Sequence, residues 1–180
     1  EYVCLAFMIL SALPFVRYVQ LINGSFSAVF SDVQVRTFLA LLFILALITT
    51  AVVYKNFEYG GEEAARKAFF NVTSIISGTG YSSADYVQWG GFLVTLFFFI
   101  GLIGGCAGST ACSVKIFRYQ LVYASVSVQL RKIRSPNGVF IPRYDGRAIE
   151  DDVLSSVMSF FIFFIGTLGI VAIFLGMSGL

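Results

Sequence analysis

Histidine is absent from the 180 residues, and several other residue types are scarce. Without histidine, this sequence has no Ser–His or Cys–His catalytic pair and no histidine-liganded metal site. Cysteine occurs three times, and the spacing of Cys4, Cys106 and Cys112 fits no zinc pattern. Because all three lie in or beside apolar runs, we interpret them as small buried hydrophobic residues.

Charged residues are also scarce, at 12% of the chain, whereas soluble domains have about 25%. The net charge of +2 is too small to indicate a nucleic-acid partner. Hydrophobic residues instead reach 58%, and phenylalanine occurs 20 times. This composition predicts an integral membrane protein in contact with lipid. Glu1 is not an initiator methionine and no signal peptide follows it, so we expect a chain cut at both ends.

Apolar runs predict four membrane helices. Two runs have the length that spans a bilayer and carry no charge apart from Arg36 at the start of one of them. The first run is shorter, and Pro14 is expected to kink it near its end. The third run ends at a cluster of glycines, and the last follows three acidic residues that favour a helix start. The predicted ranges are residues 2–21, 35–54, 87–103 and 153–175.

A fifth predicted helix, residues 62–76, is too short to cross the membrane. Its apolar part, residues 68–76, would be about 13 Å long, roughly half of a hydrocarbon core. Glu62 and Glu63 favour a helix N-terminus there. Since a second apolar run begins at residue 91, we expect this helix to enter the membrane and return.

A glycine-rich turn, residues 77–82, follows the short helix. Glycine permits positive φ and close approach of the backbone, and a ring of main-chain carbonyls can replace the hydration shell of an ion. The run also resembles the Thr-Val-Gly-Tyr filter of potassium channels. We predict a filter segment, with potassium at Gly78, Thr79 and Gly80, formed by Gly78, Thr79, Gly80 and Tyr81. The alternative is a glycine C-cap that only ends the helix.

A second glycine cluster interrupts the third membrane helix. Irregular backbone at membrane depth is tolerated only where it is buried in protein or lines water. We therefore predict a gating loop made of Gly104, Gly105, Cys106, Ala107, Gly108, Ser109, Thr110 and Ala111. The alternative is close helix packing through small residues.

Lys115 and Arg118 follow this loop, one helical turn apart. They either reach to the cytoplasmic interface, as long basic side chains commonly do, or regulate cation passage by charge repulsion. Residues 118–130 fit a strand or a helix about equally well. Turn signals occur at residues 23–25, 135–138 and 145–146, and with the last of them a small hairpin is possible near residues 139–144.

The distribution of lysine and arginine predicts the topology. Most of them fall on one side, which is therefore cytoplasmic. The opposite side carries a mildly acidic vestibule that would attract cations, or else a solvated loop without a steering role. The vestibule acids are Glu58, Glu62, Glu63 and Asp85.

These motifs together resemble the Trk/Ktr/HKT superfamily of cation transporters, in its Trk-type potassium uptake form. The resemblance rests on residues 71–81, 104–111 and 115–118, with support from residues 32–36 and 144–147. It covers most of the chain. The run Ala111-Cys112-Ser113 departs from the family, where a more glycine-rich end of the loop is expected.

The resemblance implies an all-α membrane fold built from helix–P-loop–helix repeats of the potassium-channel type. It places the end of a second repeat at residues 1–22, a complete third repeat at 32–134, a cytoplasmic connector at 135–150 and the first helix of a fourth repeat at 151–180. It further implies a homodimer, a cytoplasmic nucleotide-binding regulatory subunit, a bacterial inner-membrane location, no bound cofactor, and potassium as the substrate.

Two other functions stay open from the residues alone. One is a tetrameric channel with a single P segment per chain, which the additional flanking helices disfavour. The other is a membrane-embedded enzyme with Ser109 or Thr110 as nucleophile, which lacks histidine or an intramembrane lysine as a base.

Overall fold

Most of the chain is helical in the computed structural model, which describes residues 1–24, 31–135 and 138–179. It divides into two units, Glu1–Phe117 and Arg118–Leu180. The α-helices of the described residues are α1 (Tyr2–Ser11), α2 (Phe15–Ile22), α3 (Val33–Asn56), α4 (Gly61–Ser77), α5 (Gly91–Gly101), α6 (Ile116–Arg134) and α7 (Asp151–Met177).

The first predicted helix is two helices. The bend falls at Pro14, as expected, but at 96° it divides residues 2–21 into the two helices α1 and α2. Pro14 has no N–H to continue the helix, and it disfavours helical geometry at Leu13. The helix therefore stops at Ser11 and a new one starts at Phe15, with Pro14 as its N-cap.

Among the residues described, two helices, α3 and α7, are long and apolar enough to cross a membrane. The count of possible spans rises to three if the bent pair α1–α2 is taken as one span. The helix predicted from residue 87 begins later. A 3₁₀ turn at Tyr86–Trp89, capped by Asp85, comes first, and α5 follows it for 11 residues. α5 is thus shorter than a membrane span, as a helix that breaks partway must be.

α3 packs along α4 in the first unit. Helix association in lipid depends on close van der Waals packing, which small residues favour. α4 buries one row at i, i+4 spacing, with small residues at its start: Ala64, Ala68, Val72 and Ile76. The facing stripe of α3 buries Val35, Phe38, Leu42, Ala46 and Val53. This contact anchors the short helix that carries the candidate site.

In the second unit, residues 118–134 are helical, which settles the ambiguity between strand and helix. The hairpin lies further along the chain than the predicted residues 139–144, because Arg143–Tyr144 (β1) pairs with Arg147–Ala148 (β2). Asp145 and Gly146 supply the positive φ values, 49° and 77°, that a two-residue hairpin turn needs. Of the other predicted turns, residues 25, 136 and 137 lie outside the described part of the chain.

Candidate functional site

α4 ends in a Schellman motif at the start of the predicted filter. Gly78 has φ +72°, and its N–H donates to Ile75 O at 3.1 Å. The N–H of Thr79 donates to Ser74 O at 3.0 Å. This is the 6→1 and 5→2 pattern that closes a helix on a left-handed glycine. The C-cap interpretation therefore describes Gly78 correctly. The same geometry is compatible with a filter segment, because exposed, non-helical backbone follows the cap.

The three residues after the cap are exposed. These are Thr79, Gly80 and Tyr81, and Tyr81 is exposed to 70%. Gly80 has φ +81°, and a Cβ built on it would meet nothing within 4 Å. The hydroxyls of Ser77 and Thr79 lie 2.6 Å apart. The backbone of the turn is thus accessible at the surface of this chain, and its conformation at Gly80 favours glycine.

Asn71 braces the far end of the turn from inside α4. Its side chain is 1% exposed, its Oδ1 accepts from the N–H of Ser83 at 3.1 Å, and its Nδ2 donates to Ser83 Oγ at 3.3 Å. A buried amide that binds the backbone of the returning segment fixes where that segment leaves the helix. The sequence analysis did not assign Asn71 a role, although an amide inside an apolar run was the available signal.

A non-helical segment, residues 102–115, separates α5 from α6 and contains the predicted gating loop. Its two ends are paired with each other: Gly104 N–H donates to Val114 O at 2.8 Å, and Ile116 N–H donates to Gly105 O at 3.1 Å. Ser113, with φ +63°, donates its hydroxyl to Gly101 O at 2.6 Å. The interruption is therefore a closed loop with a hydrogen-bonded stem, not a packed continuous helix.

The loop contacts the predicted filter turn directly. A Cβ built on Gly78 would lie 2.8 Å from Cys112 Cβ and 3.1 Å from Cys112 Sγ. Real Cβ atoms do not approach so closely, so only glycine allows this contact without a shift. Cys112 lies just past the residues predicted for the gate, and its sequence context did not predict this contact.

Lys115 folds back onto the loop. Its Nζ donates to Ser109 O at 3.1 Å and also to Ala111 O. An ammonium group bound by main-chain carbonyls satisfies groups that an interrupted helix leaves free. This geometry does not match a side chain extended to the membrane interface. Arg118, in the second unit, instead places its guanidinium 3.9 Å from the centre of the Phe160 ring.

Nearly the whole chain matches one family model. That model, TrkH, described as a cation transport protein, matches residues 4–177. The chain belongs to the TrkH family. Membership confirms the resemblance derived from the filter and loop motifs, and it makes the chain part of a multi-pass membrane protein.

Sequence comparison with individual proteins also identifies relatives from the TrkH family. The chain is 36% identical to the Trk system potassium uptake protein TrkI of Halomonas elongata, over 97% of this chain and 35% of that protein. It is 28% identical to TrkH of Escherichia coli strain K12, over 92% of this chain and 36% of that protein. The chain therefore spans about a third of the length of these curated relatives. Each name describes a transporter rather than an enzyme.

A solved TrkH structure has the same fold. The crystal structure of the potassium transporter TrkH from Vibrio parahaemolyticus matches with a TM-score of 0.79 at 26% identity. The match covers 93% of this chain and 38% of that chain. This chain therefore has a mostly helical, TrkH-like fold.

Two expectations about this TrkH-family chain change with the structure. Only Cys106 is buried, whereas Cys4 and Cys112 are exposed, so the interpretation of all three as buried residues is wrong. Two vestibule acids are also paired with basic residues of their own helix: Lys67 Nζ lies 2.7 Å from Glu63, and Arg66 Nε lies 3.2 Å from Glu62. These pairs neutralise the two carboxylates locally, although the net charge of that side is unchanged.

Proposed function

We propose that the full-length protein takes up potassium across a bacterial inner membrane. In this proposal, the backbone of Gly78, Thr79, Gly80 and Tyr81 forms one part of a carbonyl-lined filter. Residues 104–111 form an intramembrane gate next to it. Potassium is the substrate, and no bound cofactor takes part.

The observation that carries this proposal is the contact between the glycine turn and the interrupted helix. α4 is anchored on α3 and ends at Gly78, and the residues after it are exposed. The interrupted helix brings Cys112 against Gly78. A filter next to a mobile obstruction is the arrangement that a gated cation pathway requires. The names of the relatives, potassium uptake proteins, support potassium as the ion.

The rest of the pathway comes from outside this chain. The relatives are about three times as long, which supports several repeats around one pore over a single P segment per chain. The repeat ranges 1–22, 32–134, 135–150 and 151–180 belong to this proposal. So do the homodimer, the cytoplasmic nucleotide-binding regulatory subunit and the surrounding lipid as partners.

The filter assignment is tested with Gly80→Ser in the full-length protein, reconstituted in liposomes. Serine at φ +81° strains the turn and redirects its carbonyls. The potassium-over-sodium flux ratio should therefore fall towards one. Gly24→Ser is the matched control, because Gly24 has φ +88° and open space around it, away from the turn. An unchanged flux ratio in Gly80→Ser would remove Gly80 from the filter.

A further inference from the structure

Two interrupted helices satisfy each other's backbone in the first unit. The break between α1 and α2 produces an elbow, residues 11–15, and the break between α5 and α6 produces the loop, residues 102–115. Every helix end leaves carbonyls and N–H groups without an intrahelical partner, and in a membrane such groups must be satisfied within the protein.

The hydrogen bonds run between these two breaks. Cys106 N–H donates to Ala12 O at 3.0 Å, and Phe15 N–H donates to Gly108 O at 3.0 Å. Thr110 donates twice to Ser11 O, from its N–H at 3.2 Å and from its Oγ1 at 3.1 Å. The predicted gating loop is therefore attached to the end of the preceding predicted repeat, not only to its own stem.

Steric fit reinforces this attachment. A Cβ built on Gly105 would lie 2.7 Å from Ala12 O and 3.2 Å from Ala12 Cβ. Glycine at this position lets the loop backbone lie against the elbow, and any side chain would push the two apart.

The start of α3 ties the same two elements together a second time. Gln34 Oε1 accepts from the N–H of Ala107 at 3.0 Å. Asp32 caps α3 by accepting from Gln34 N–H, and its other oxygen pairs with Arg17 of α2 at 2.7 Å. A displacement of α2 would therefore reach the loop through the elbow and through the N-terminus of α3.

We propose that the elbow, residues 11–15, is the positioning element that holds the loop closed, and that ion passage requires the elbow and the loop to separate. This proposal rests on the proposed potassium pathway. It assigns the closed state to contacts made by the preceding repeat, so that motion of α2 controls the gate.

The deciding experiment joins the elbow to the loop covalently and reversibly. Ala12→Cys and Gly105→Cys are combined in a full-length protein whose other cysteines are replaced, reconstituted in liposomes. Disulfide Cβ atoms lie about 3.5–4.5 Å apart, whereas the built separation here is 3.2 Å and the same Cβ would lie 2.7 Å from Ala12 O, so the loop must shift slightly for the bond to form. Copper phenanthroline should form the bond, with the two thiols oxidised and their electrons passed to oxygen. Potassium flux should then be lost, and dithiothreitol should restore it.

The oxidised and reduced forms share one sequence, so strain from the substitutions is the same in both. A complete cross-link that leaves flux unchanged overturns the proposal. If crowding at Gly105 prevents the cross-link, the comparison of Thr110→Val with Thr50→Val below decides between the two outcomes. The single variants are controls and should not respond to oxidant. If the unsubstituted protein carries no potassium, the proposed function fails by itself. Formation of the cross-link would then still show that the elbow and loop touch.

A milder variant covers the case in which the cysteine pair does not fold. Thr110→Val removes only the hydroxyl bond to Ser11 O. Loss of about one hydrogen bond should raise the open fraction, and hence potassium flux, about fivefold. Thr50→Val is the matched control, because it removes a hydroxyl bond to Ala46 O within α3. Equal flux in the two variants would contradict the proposal.

Discussion

Gly78 lies against Cys112, so that a Cβ on Gly78 would be 2.8 Å from the Cβ of Cys112. One residue begins the candidate filter, and the other lies at the end of the candidate gate. Because the glycine also has φ +72°, two independent restrictions act on it: the left-handed backbone and the missing space.

These two restrictions can be separated by mutation. Gly78→Ala should lower the thermal unfolding midpoint of the full-length protein. A non-glycine residue in the left-handed region costs roughly 1–2 kcal/mol, and overpacking costs about 1–3 kcal/mol more. Cys112→Gly should recover the overpacking part but not the backbone part. Midpoints of the two single variants and the double variant, measured in the same detergent, give the coupling between the positions.

A control for this cycle is Gly80→Ala, which has a similar φ of +81° but open space. It should show the backbone cost and no recovery from Cys112→Gly. If Gly78→Ala and Cys112→Gly are additive within about 0.5 kcal/mol, the contact between filter and loop is absent.

Asn71→Leu should destabilise the returning end of the turn. The substitution introduces an apolar side chain of similar size, removes both bonds to Ser83 and leaves the N–H of Ser83 without its partner. An unsatisfied buried group costs about 1–3 kcal/mol. We expect a lower unfolding midpoint and a reduced preference for potassium over sodium. Ser83→Ala, which keeps the backbone bond, should have a smaller effect; equal effects would contradict the brace.

Substitution of Lys115 distinguishes two possible mechanisms of the proposed gate, carbonyl binding and charge repulsion. In the structure its ammonium binds carbonyls of the loop, including Ser109 O at 3.1 Å. Lys115→Met should therefore loosen the loop and raise potassium flux. Charged hydrogen bonds contribute about 1.5–3 kcal/mol, which corresponds to roughly 10- to 100-fold in the open-to-closed ratio.

Lys115→Arg is the discriminating variant. Repulsion between the side chain and the passing ion depends on charge, so arginine would restore normal flux under that mechanism. Binding of the loop carbonyls depends on a compact ammonium, which the planar guanidinium does not reproduce. Uptake of radioactive rubidium by the two variants, at equal protein density, should show that arginine restores flux only in part. Full restoration would favour repulsion.

Local chemistry determined much of this protein before any tertiary contact was known. The composition and the lengths of the apolar runs predicted helices close to α3, α4 and α7, because span length and backbone satisfaction in lipid leave few alternatives. The glycines of residues 77–82 and 104–108 predicted where helices stop, because glycine is the residue that permits those backbone conformations.

Only the tertiary structure decided which groups pair with the backbone N–H and carbonyl groups at the ends of the interrupted helices. The 96° elbow, the buried bond from Asn71 to Ser83 and the Gly78–Cys112 contact each join residues that lack any shared local pattern. The helix around residues 118–130 and the position of the hairpin were undecided for a related reason: short alternating runs have no strong period. Periodicity and glycine content describe a residue and its near neighbours along the chain. The partner of a free carbonyl at Ser11 is about a hundred residues away, at Thr110, and only packing brings the two together.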